Sequence, residues 1–336
     1  MELYDVTIIG GGPAGLYSAF YSGMRDLKTK IIEAEDHLGG KLNVFKEKTI
    51  WDIGGLPPTK GKQVIAHLIG QAKTFSPHIV LGEQVVDFSR EKDGNFLIKT
   101  NRSTHRSKAI IIASGYGILR QAKLTIHGAE QYEQDNLLYA VTDIERFRNK
   151  DVMISGGGNS AVDWANEIEP IAKSVTVIHR RDEFGGHEKF VQQMRQSNVQ
   201  VMTPFQVKGL TGCSNNCRVE EIEIEHCESR QCERRKIDAL IVNHGYDIDL
   251  SFMDQAPEGL VLEEMRIPTE SSMQTCAPGI FTAGDISGHP GKLPLIAGAF
   301  TDAALAVNAV KTYITPEANA FAGVSSHDER LQEQGS

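Results

Sequence analysis

The chain has 336 residues, of which 40% are hydrophobic and 24% charged, as in a globular protein of one large or two medium-sized domains. Its formal net charge of −9 argues against nucleic acid or an anionic membrane as the partner, because the summed field repels phosphate groups. No apolar run approaches the roughly 18 residues of a membrane span. The N-terminal stretch MELYDVTIIG lacks the features of a signal peptide, and five cysteines fit reduced thiols, so we expect a cytoplasmic protein.

Two stretches of the chain predict the same βαβ unit. Residues 4–10 (YDVTIIG) form a β-branched apolar run that ends in glycine, the residues after them have helical spacing, and residues 29–33 (TKIIE) form a second apolar run. This order of strand, helix and strand predicts parallel pairing. The order recurs in residues 151–155 (DVMIS), a glycine-rich turn, a helical segment and residues 174–178 (SVTVI).

Each βαβ unit is followed by alternating segments that predict antiparallel strands. Residues 79–115 indicate a small meander that ends in a buried strand. Residues 201–210, 218–226 and 232–245 indicate further strands after the second unit. The predicted fold class is therefore α/β, with two Rossmann-like dinucleotide-binding domains of three-layer ββα architecture.

The last apolar segments indicate how the two domains are connected. Residues 279–285 (GIFTAGD) predict a strand and residues 294–314 a helix, but this segment has no second strand of its own for pairing. We therefore expect it to return to the first domain, which would comprise residues 1–116 and 249–336. The second domain, residues 117–248, would be inserted within the first. The polar tail after Thr315 is expected to be a frayed terminus unless it has a function of its own.

Both βαβ units carry a glycine fingerprint at the turn from strand to helix. The first glycine turn is Gly10-x-Gly12-x-x-Gly15, and the second glycine turn is Gly156-x-Gly158-x-x-Ala161. In such a turn the first glycine permits a tight bend, the second lets backbone amides approach a pyrophosphate, and the third position allows close packing of helix on strand. Because both patterns directly follow a strand and open a helix, we predict a dinucleotide site at each.

The residue expected to contact the adenosine ribose differs between the two turns. Glu33 lies 18 residues after Gly15, where a carboxylate accepts hydrogen bonds from ribose hydroxyls and repels a 2′-phosphate. The matching position after Ala161 opens the run His179-Arg180-Arg181, whose guanidinium groups can bind a phosphate. A solvated charge cluster is the alternative interpretation of that run. The first domain is therefore expected to bind FAD and the second NADPH, with hydride passing from nicotinamide to flavin.

These residues resemble those of the two-domain pyridine-nucleotide flavoprotein reductases of the low-molecular-weight thioredoxin reductase type. The shared motifs span nearly the whole chain: GGGPAG at residues 10–15, Glu33, GGKL at 39–42, IIASG at 111–115, GGGNSA at 156–161, HRR at 179–181 and TAGD at 282–285. The chain departs from thioredoxin reductases because residues 137–154 contain no Cys-x-x-Cys pair, so a thiol relay has no nucleophile there. It is therefore most similar to the thioredoxin-reductase-like ferredoxin (flavodoxin):NADP⁺ oxidoreductases.

The resemblance implies roles for particular residues. Asp285 would bind the ribityl chain of FAD, Phe45 would stack on the isoalloxazine ring, and a C-terminal extension would reach the partner's flavin in a homodimer. The FAD residues that it implies are Gly10, Gly12, Ala14, Gly15, Glu33, Gly40, Lys41, Phe45, Val86, Leu119, Gly284, Asp285 and Ser326. The NADPH residues are Gly156, Gly158, Asn159, Ser160, Ala161, His179, Arg180 and Arg181. We expect no metal and no catalytic side chain beyond the flavin itself.

Three positions depart from the pattern of this subfamily. Lys41 stands where glutamine is usual, so its contact with FAD would become ionic. Gly185 stands where relatives often have a third arginine, which would weaken the selection of NADPH and make use of NADH conceivable. Val324 stands where an imidazole is expected in the tail, so either His327 or Phe321 takes its place or the stacking is missing.

Other conspicuous residues carry less weight. Four cysteines lack the paired C-x2-C spacing of zinc ribbons: Cys213, Cys217, Cys227 and Cys232. The strand between the two pairs would separate them by roughly 30 Å, too far for one tetrahedral site, although a labile disulfide or an adventitious metal at either pair stays open. His289 is a candidate acid, but release of single electrons requires no proton donor. Trp51 is expected in the core or in a cofactor pocket.

Three functions from different classes are compatible with these patterns. NADPH-dependent reduction of ferredoxin or flavodoxin through FAD (class EC 1.18.1.2) is favoured, because a flavin accepts a two-electron hydride and releases single electrons. A second is reduction of another acceptor, such as a small disulfide, a quinone or an iron chelate. Bacillithiol disulfide reductases carry a cysteine where this chain has Ala14, which counts against the disulfide. A third is a non-enzymatic flavin redox sensor, against which the two intact glycine turns argue.

Overall fold

The structure is a computed structural model that describes residues 1–133, 135–213, 218–255 and 260–332, apart from the side chains of residues 119 and 255. The chain divides into two compact units. The first comprises Met1–Leu119 and the chain from Ile248 onward, and the second comprises Arg120–Asp247. Among the described residues, no helix is both long enough and apolar enough to cross a membrane.

The elements follow one another in three blocks. The first unit begins with β1 (Leu3–Ile9), α1 (Pro13–Met24), β2 (Thr29–Ile32), β3 (Thr49–Ile50), β4 (Thr59–Lys60), α2 (Gly61–Ala72), β5 (His78–Val80), β6 (Val85–Arg90), β7 (Phe96–Thr100), β8 (Thr104–Ile112) and the linker strand β9 (Ile118–Gln121). The second unit contains β10 (Leu137–Leu138), β11 (Asp151–Ser155), α3 (Asn159–Ile168), β12 (Ser174–Ile178), α4 (Glu188–Gln196), β13 (Gln200–Met202), β14 (Phe205–Gly212), β15 (Val219–His226), β16 (Cys232–Lys236) and β17 (Ala239–Val242). The linker strand β18 (Tyr246–Asp249) pairs with β9, and β19 (Ile267–Pro268), β20 (Ile280–Thr282), β21 (Ser287–Gly288), α5 (Ile296–Ile314) and α6 (Glu329–Gln332) follow.

The first unit is built around a parallel sheet in the order β5-β2-β1-β8-β20. Successive side chains of a strand point to opposite faces of the sheet. Ile8 and Ile111 belong to a core formed with α1, α2 and α5, whereas Ile9 and Ile110 belong to a core on the other face with Phe88 of β6. Because both faces are covered, the strands are nearly continuous apolar runs.

Strand β8 belongs both to this parallel sheet and to an antiparallel meander. Its first half pairs antiparallel with β7, where Phe96 lies opposite Ser107, and β7 pairs with β6. Its second half pairs in parallel with β1 and with β20, where Ile280 lies opposite Ile110. The segment predicted at residues 279–285 therefore returns to the sheet of the first unit.

The second unit repeats the same three layers. Its parallel sheet has the order β10-β17-β11-β12-β13, and its antiparallel meander the order β14-β15-β16. Ile154 and Val177 pack with residues of α3 and α4, whereas Met153 and Ile178 pack with Ile224 of the meander. The alternation of side chains along β11 and β12 thus joins a helical layer to a meander layer, as predicted.

Two segments predicted as single strands are each two strands in different sheets. Residues 201–210 contain the end of β13, in the parallel sheet, and most of β14, in the meander. Residues 232–245 contain β16, in the meander, and β17, in the parallel sheet. Pro204 interrupts the first segment because it has no amide hydrogen for a strand ladder. Asp238 interrupts the second, and its carboxylate accepts the amide N–H of Asp151 at 2.9 Å.

The C-terminal tail is anchored to its own chain up to the last described residue, 332. Arg330 pairs with Asp26 at 2.5 Å, and its guanidinium lies 4.7 Å from the ring centre of Phe75. The guanidinium of Arg25 donates to the carbonyl of Asn319 at 2.5 Å. The expectation of a frayed terminus is therefore wrong for this part of the chain, because the tail docks beside the end of α1.

Candidate functional site

Three glycines of the two turns are required by the packing of the protein itself. Gly10 has a φ of +110°, and a Cβ placed on it would lie 2.5 Å from the carbonyl oxygen of Ala113. A Cβ on Gly15 would lie 1.9 Å from the carbonyl oxygen of Gly10. In the second turn, a Cβ on Gly156 would lie 2.4 Å from the carbonyl oxygen of Asn243. These distances leave no room for a side chain. Because glycine has no Cβ, the backbone segments can pack closely at these three positions.

The middle glycine of each turn has no such packing requirement. A Cβ on Gly12 would meet only Gly40, at an ordinary 3.7 Å, and a Cβ on Gly158 would meet nothing within 4 Å. Their φ angles, −78° and −85°, suit any residue. Both precede the first turn of a helix, where free amides and the helix dipole favour an anion. The residues therefore fit a pyrophosphate that needs close access to the backbone.

A buried carboxylate lies beside the first glycine turn. Glu33, only 8% exposed, accepts the amide N–H of Gly11 at 2.6 Å and that of Glu35 at 2.9 Å. Burial raises the pKa of this carboxyl group, and the two hydrogen bonds oppose the rise. Its acceptor oxygens at the end of β2 fit a ribose and would repel a 2′-phosphate.

Two further predicted FAD residues contact the first glycine turn. Gly40 has a φ of +53°, and a Cβ on it would lie 2.8 Å from the Cα of Gly12. Gly284 has a φ of +83°, and a Cβ on it would lie 2.8 Å from the Cβ of Ala14. Asp285, the residue after Gly284, is half-buried. The TAGD segment and the GGKL segment thus meet the first glycine turn from two sides.

The remaining predicted FAD residues are more widely spread. Lys41 is exposed, and its ammonium lies 4.8 Å from the ring centre of Tyr116. Phe45 is half-buried at the end of a short 3₁₀ helix. Val86 is 38% exposed on β6. The side chain of Leu119 lies outside the described residues.

Several apolar and polar side chains expected near the flavin are exposed in the single chain. Trp51 is 74% exposed after β3, so it does not lie in the core, and the alternative expectation of a cofactor pocket stays a prediction. In the tail, Phe321 and Val324 are 69% and 61% exposed, and Ser326 and His327 are also exposed. The contacts that anchor the tail leave these four side chains accessible.

One ion pair near the first glycine turn was not predicted. Asp302 of α5 and Lys292 of the preceding loop are buried together, and Asp302 also accepts the amide N–H of Gly284 at 3.1 Å. Each residue alone has the appearance of a surface charge in the sequence. The apolar helical pattern around Asp302 was the only signal that it is buried.

His179 packs on the second glycine turn. A Cβ on Gly157 would lie 2.3 Å from the imidazole ring, and the ring centre lies 5.4 Å from that of Phe184. Burial lowers the pKa of His179, and the charges of Arg181 and Arg180 lower it further. A neutral imidazole therefore covers the turn at neutral pH.

Two free guanidinium groups follow His179. Arg180 and Arg181 are both exposed at the end of β12, and neither forms an ion pair within the described part of the chain. The carboxyl ends of parallel strands are where α/β sheets bind nucleotides. The pair is therefore available to a phosphate from outside the protein.

A loop closes over the second glycine turn. Gly185 donates its amide N–H to the carbonyl of Gly157 at 2.8 Å, and the side chain of Asn159 accepts the amide N–H of His187 at 3.0 Å. Ser160 is half-buried, and Ala161 is fully buried at the third position of the fingerprint. A Cβ on Gly185 would meet only the carbonyl oxygen of Gly157, at 3.9 Å, so the missing arginine is not excluded by space.

A second histidine at this site was not predicted. His244 follows β17, and its Nε2 lies 2.8 Å from the hydroxyl of Ser155 at the end of β11. Burial lowers the pKa of His244, and the nearby charge of Arg180 contributes. The residue lies in the segment LIVNHG, residues 240–245, and its position beside the second glycine turn depends on the parallel pairing of β17 with β11.

The cysteines form no metal site in the described part of the chain. No group of three or more histidine, cysteine or acidic side chains there could hold a metal ion. Cys227 and Cys232 are free thiols, and Cys217 lies outside the described residues. The Sγ of Cys232 lies 3.1 Å from the ammonium of Lys208.

Residues 4–312 match the family described as pyridine nucleotide-disulphide oxidoreductase. The chain belongs to this family. Membership in the pyridine nucleotide-disulphide oxidoreductase family implies binding of a flavin and of a pyridine nucleotide, which agrees with the two turns described above. The family resemblance inferred from the motifs is confirmed.

Named relatives and solved structures are similar over nearly the full length. Ferredoxin–NADP reductase 1 of Shouchella clausii (strain KSM-K16) is 49% identical over 99% of this chain and 95% of the relative, and its namesake from Bacillus pumilus (strain SAFR-032) is 49% identical over 99% and 96%. The Lactococcus lactis thioredoxin reductase structure in its FR conformation has a TM-score of 0.74 at 25% identity, covering 93% of this chain and 99% of that one. A bacillithiol disulfide reductase structure from Staphylococcus aureus has a TM-score of 0.69 at 18% identity, covering 95% of this chain and 100% of that one, and it shows the fold alone. The predicted α/β fold with Rossmann-like sheets is confirmed.

Proposed function

We propose that the chain is an FAD-dependent oxidoreductase that passes electrons from NADPH to ferredoxin or flavodoxin, an activity of class EC 1.18.1.2. The observation that carries the proposal is a contrast between two similar turns. The buried carboxylate of Glu33 stands beside the first glycine turn, whereas the exposed Arg180 and Arg181 follow the second. One turn disfavours a 2′-phosphate and the other attracts it, which supports FAD and NADPH on one chain.

Different residues of this chain would bind different parts of the two cofactors. In the first unit, Gly12 would admit the pyrophosphate of FAD, Glu33 would accept the ribose hydroxyls and Asp285 would bind the ribityl chain. In the second unit, Gly158 would admit the pyrophosphate of NADPH, and the arginine pair would bind its 2′-phosphate. When bound, the flavin supplies the chemistry that converts a two-electron donor into a source of single electrons.

Two findings support a one-electron carrier as the acceptor. The relatives that are 49% identical over nearly the whole chain are named ferredoxin–NADP reductases. The segment in which thioredoxin reductases carry their cysteine pair, residues 137–154, contains no cysteine, so transfer to a disulfide has no thiolate here. The proposal therefore places the final electron transfer at the flavin itself.

The proposal extends to assembly and location. We place the protein in the cytoplasm as a homodimer in which the tail approaches the partner's flavin. The exposed side chains of Phe321, Ser326 and His327 support this, because the anchored tail presents them to the outside of its own chain. Either Phe321 or His327 would supply the ring that Val324 lacks.

Cytochrome c reduction tests the acceptor. Purified holoprotein receives NADPH, with cytochrome c as the final acceptor, in the presence or absence of a ferredoxin or a flavodoxin. We expect rapid reduction of cytochrome c only when one of these carriers is present. Reduction that depends instead on a quinone, a small disulfide or an iron chelate would contradict the proposed acceptor, and a flavin that no pyridine nucleotide reduces would indicate a redox sensor.

A further inference from the structure

Two opposite charges are buried together beside the first glycine turn. The side chains of Lys292 and Asp302 are only 2% and 6% exposed, and the ammonium of Lys292 donates to the carboxylate of Asp302. Asp302 belongs to α5, and Lys292 to the loop between β21 and α5. The pair therefore ties the loop to the helix from within the protein.

Asp302 has a second partner at the predicted flavin motif. Its Oδ2 accepts the amide N–H of Gly284 at 3.1 Å. Gly284 has a left-handed conformation, and a Cβ on it would lie 2.8 Å from the Cβ of Ala14 in the first glycine turn. Any displacement of Asp302 therefore acts on the segment that lies directly against this turn.

His289 completes the surroundings of the carboxylate. Its Nδ1 lies 3.0 Å from the carbonyl oxygen of Pro290, and its Nε2 lies 3.4 Å from Oδ1 of Asp302. Both oxygens can only accept, so a neutral imidazole, which carries one hydrogen, can donate to only one of them. Lys292 is thus the group that balances the charge of Asp302 when His289 is neutral.

Such a pair is poorly explained by stability alone. Burying two charges costs several kcal/mol per ion, and replacement of a buried ion pair by apolar residues of similar volume is often neutral or stabilising. The surrounding helix α5 is otherwise rich in alanine and valine, and Ala303, Ala306 and Val307 beside Asp302 are buried in the apolar core. An apolar side chain at position 302 would fit this core but could not accept the amide of Gly284.

We propose that Asp302 and Lys292 are positioning residues for the flavin, a role that rests on the proposed FAD site in the first unit. Asp302 holds Gly284 against the first glycine turn and so fixes Asp285, the next residue, for contact with the ribityl chain. Lys292 neutralises Asp302 and fastens the other end of the loop. Neither residue needs to touch the cofactor for its removal to alter cofactor binding.

The test compares cofactor binding with the stability of the apoprotein. The double variant Lys292→Met/Asp302→Leu removes both charges, so that neither is left unpaired. It also leaves the buried amide of Gly284 without an acceptor, so that Gly284 and Asp285 are no longer held against the first glycine turn, and we expect FAD binding to weaken by roughly tenfold to a hundredfold. The dissociation constant of FAD is measured by recovery of flavin fluorescence, the flavin midpoint potential by spectroelectrochemistry, and thermal unfolding is followed for the apoprotein.

A graded series separates positioning from folding. Lys292→Met/Asp302→Asn keeps an acceptor for Gly284 and should restore much of the FAD affinity that the leucine variant loses. Lys292→Arg keeps the positive charge and should bind FAD almost as well as the native protein. As a control, Arg106→Met/Glu91→Gln removes an ion pair of 2.6 Å at the amino end of β8, together with the second contact of Arg106, to Asp93, away from the turn. We expect no change in FAD affinity or midpoint potential in this control.

The outcomes are distinguishable. Weaker FAD binding and a shifted midpoint potential in the leucine variant, with recovery in the asparagine variant and an apoprotein that is still folded at the assay temperature, would support the role. A lower unfolding temperature with native FAD affinity and potential would overturn it and leave a structural ion pair. If the native protein itself bound no FAD, the proposed function would fail, whatever the variants did.

Discussion

In the two turns, some glycines are required by the packing of the protein, whereas others leave space through which a ligand could approach the backbone. At Gly15 an added methyl group would overlap the carbonyl oxygen of Gly10, whereas at Gly158 it would meet nothing within 4 Å. A fold that needed no ligand would tolerate alanine at Gly158. A glycine there is expected if a group from outside the chain approaches the backbone closely.

This contrast gives a prediction with an internal control. Gly158→Ala should leave the unfolding temperature unchanged or slightly raised, because alanine restricts the unfolded chain. It should raise the KM for NADPH by roughly tenfold, as expected if one backbone hydrogen bond to a charged group is lost. Gly15→Ala should instead lower the unfolding temperature. Steady-state kinetics and thermal unfolding check both, and native kinetics for Gly158→Ala would mean that no pyrophosphate approaches the second turn.

The sequence alone could not predict contacts between residues that only the pairing or packing of distant elements brings together. The glycine fingerprints, Glu33 and the arginine pair follow fixed offsets from a strand, so the sequence predicts them directly. Asp302 and Gly284 are 18 residues apart, and only the path of α5 along the sheet brings them together. His244 reaches Ser155 in the same way, because β17 inserts beside β11.

At the scale of elements, a polar cluster stabilises the meander side of the first unit. The ammonium of Lys30 lies 2.9 Å from Nδ1 of His105, whose Nε2 lies 3.1 Å from the carboxylate of Glu83. Lysine can only donate, so Nδ1 accepts and the ring is neutral with its hydrogen on Nε2. Burial lowers the pKa of His105, in agreement with this arrangement. Burial would raise the pKa of Glu83, but hydrogen bonds from Thr100, Ser103 and His105 lower it to about 2.

The cluster predicts loss of stability in acid. Because the folded pKa of His105 is depressed, its contribution is complete above the unfolded value of about 6.5 and falls below it. Glu83 contributes above its unfolded value of 4.5 and loses this contribution as pH falls toward about 2. Glu83→Gln should therefore destabilise the protein by about 2 kcal/mol at pH 7, with a smaller difference from the native protein at acid pH.

Thermal unfolding across this pH range checks the prediction. Asp87→Asn is the matched control, since Asp87 pairs with the exposed Lys99 on the same meander and should contribute little. A difference between Glu83→Gln and the native protein that stays constant from neutral to acid pH would show that Glu83 is not the titrating group.

Element boundaries were predictable where the apolar period was uninterrupted. Strands β11 and β12 match the predicted residues 151–155 and 174–178. The sequence did not reveal that Pro204 and Asp238 divide runs between two sheets, because the apolar alternation continues on either side. The anchoring of the tail was also not predictable, since it depends on Arg330 meeting Asp26 across most of the chain length.

At the scale of the molecule, one architecture occurs twice with opposite charge at one position. Both units place a glycine turn between a parallel strand and a helix, with an antiparallel meander on the other face of the sheet. The groups at the end of the next strand have opposite charge: a buried carboxylate in the first unit and two free guanidiniums in the second. The chain is thereby equipped to hold two different dinucleotides.

The central claim is that electrons enter as hydride from NADPH, selected by Arg180 and Arg181, and reach a flavin in the first unit. Its most direct test is anaerobic bleaching of the flavin in rapid mixing with NADPH or NADH. The native protein is compared with Arg180→Ala/Arg181→Ala and with Arg148→Ala, a control that removes an exposed arginine paired with Glu145 before β11. In the native protein and the control, we expect half-maximal bleaching at a lower concentration of NADPH than of NADH. In the double variant, the NADPH concentration for half-maximal bleaching should rise by roughly tenfold or more, and that for NADH should not change. Equal bleaching by both nucleotides in all three proteins, or no bleaching at all, would contradict the account.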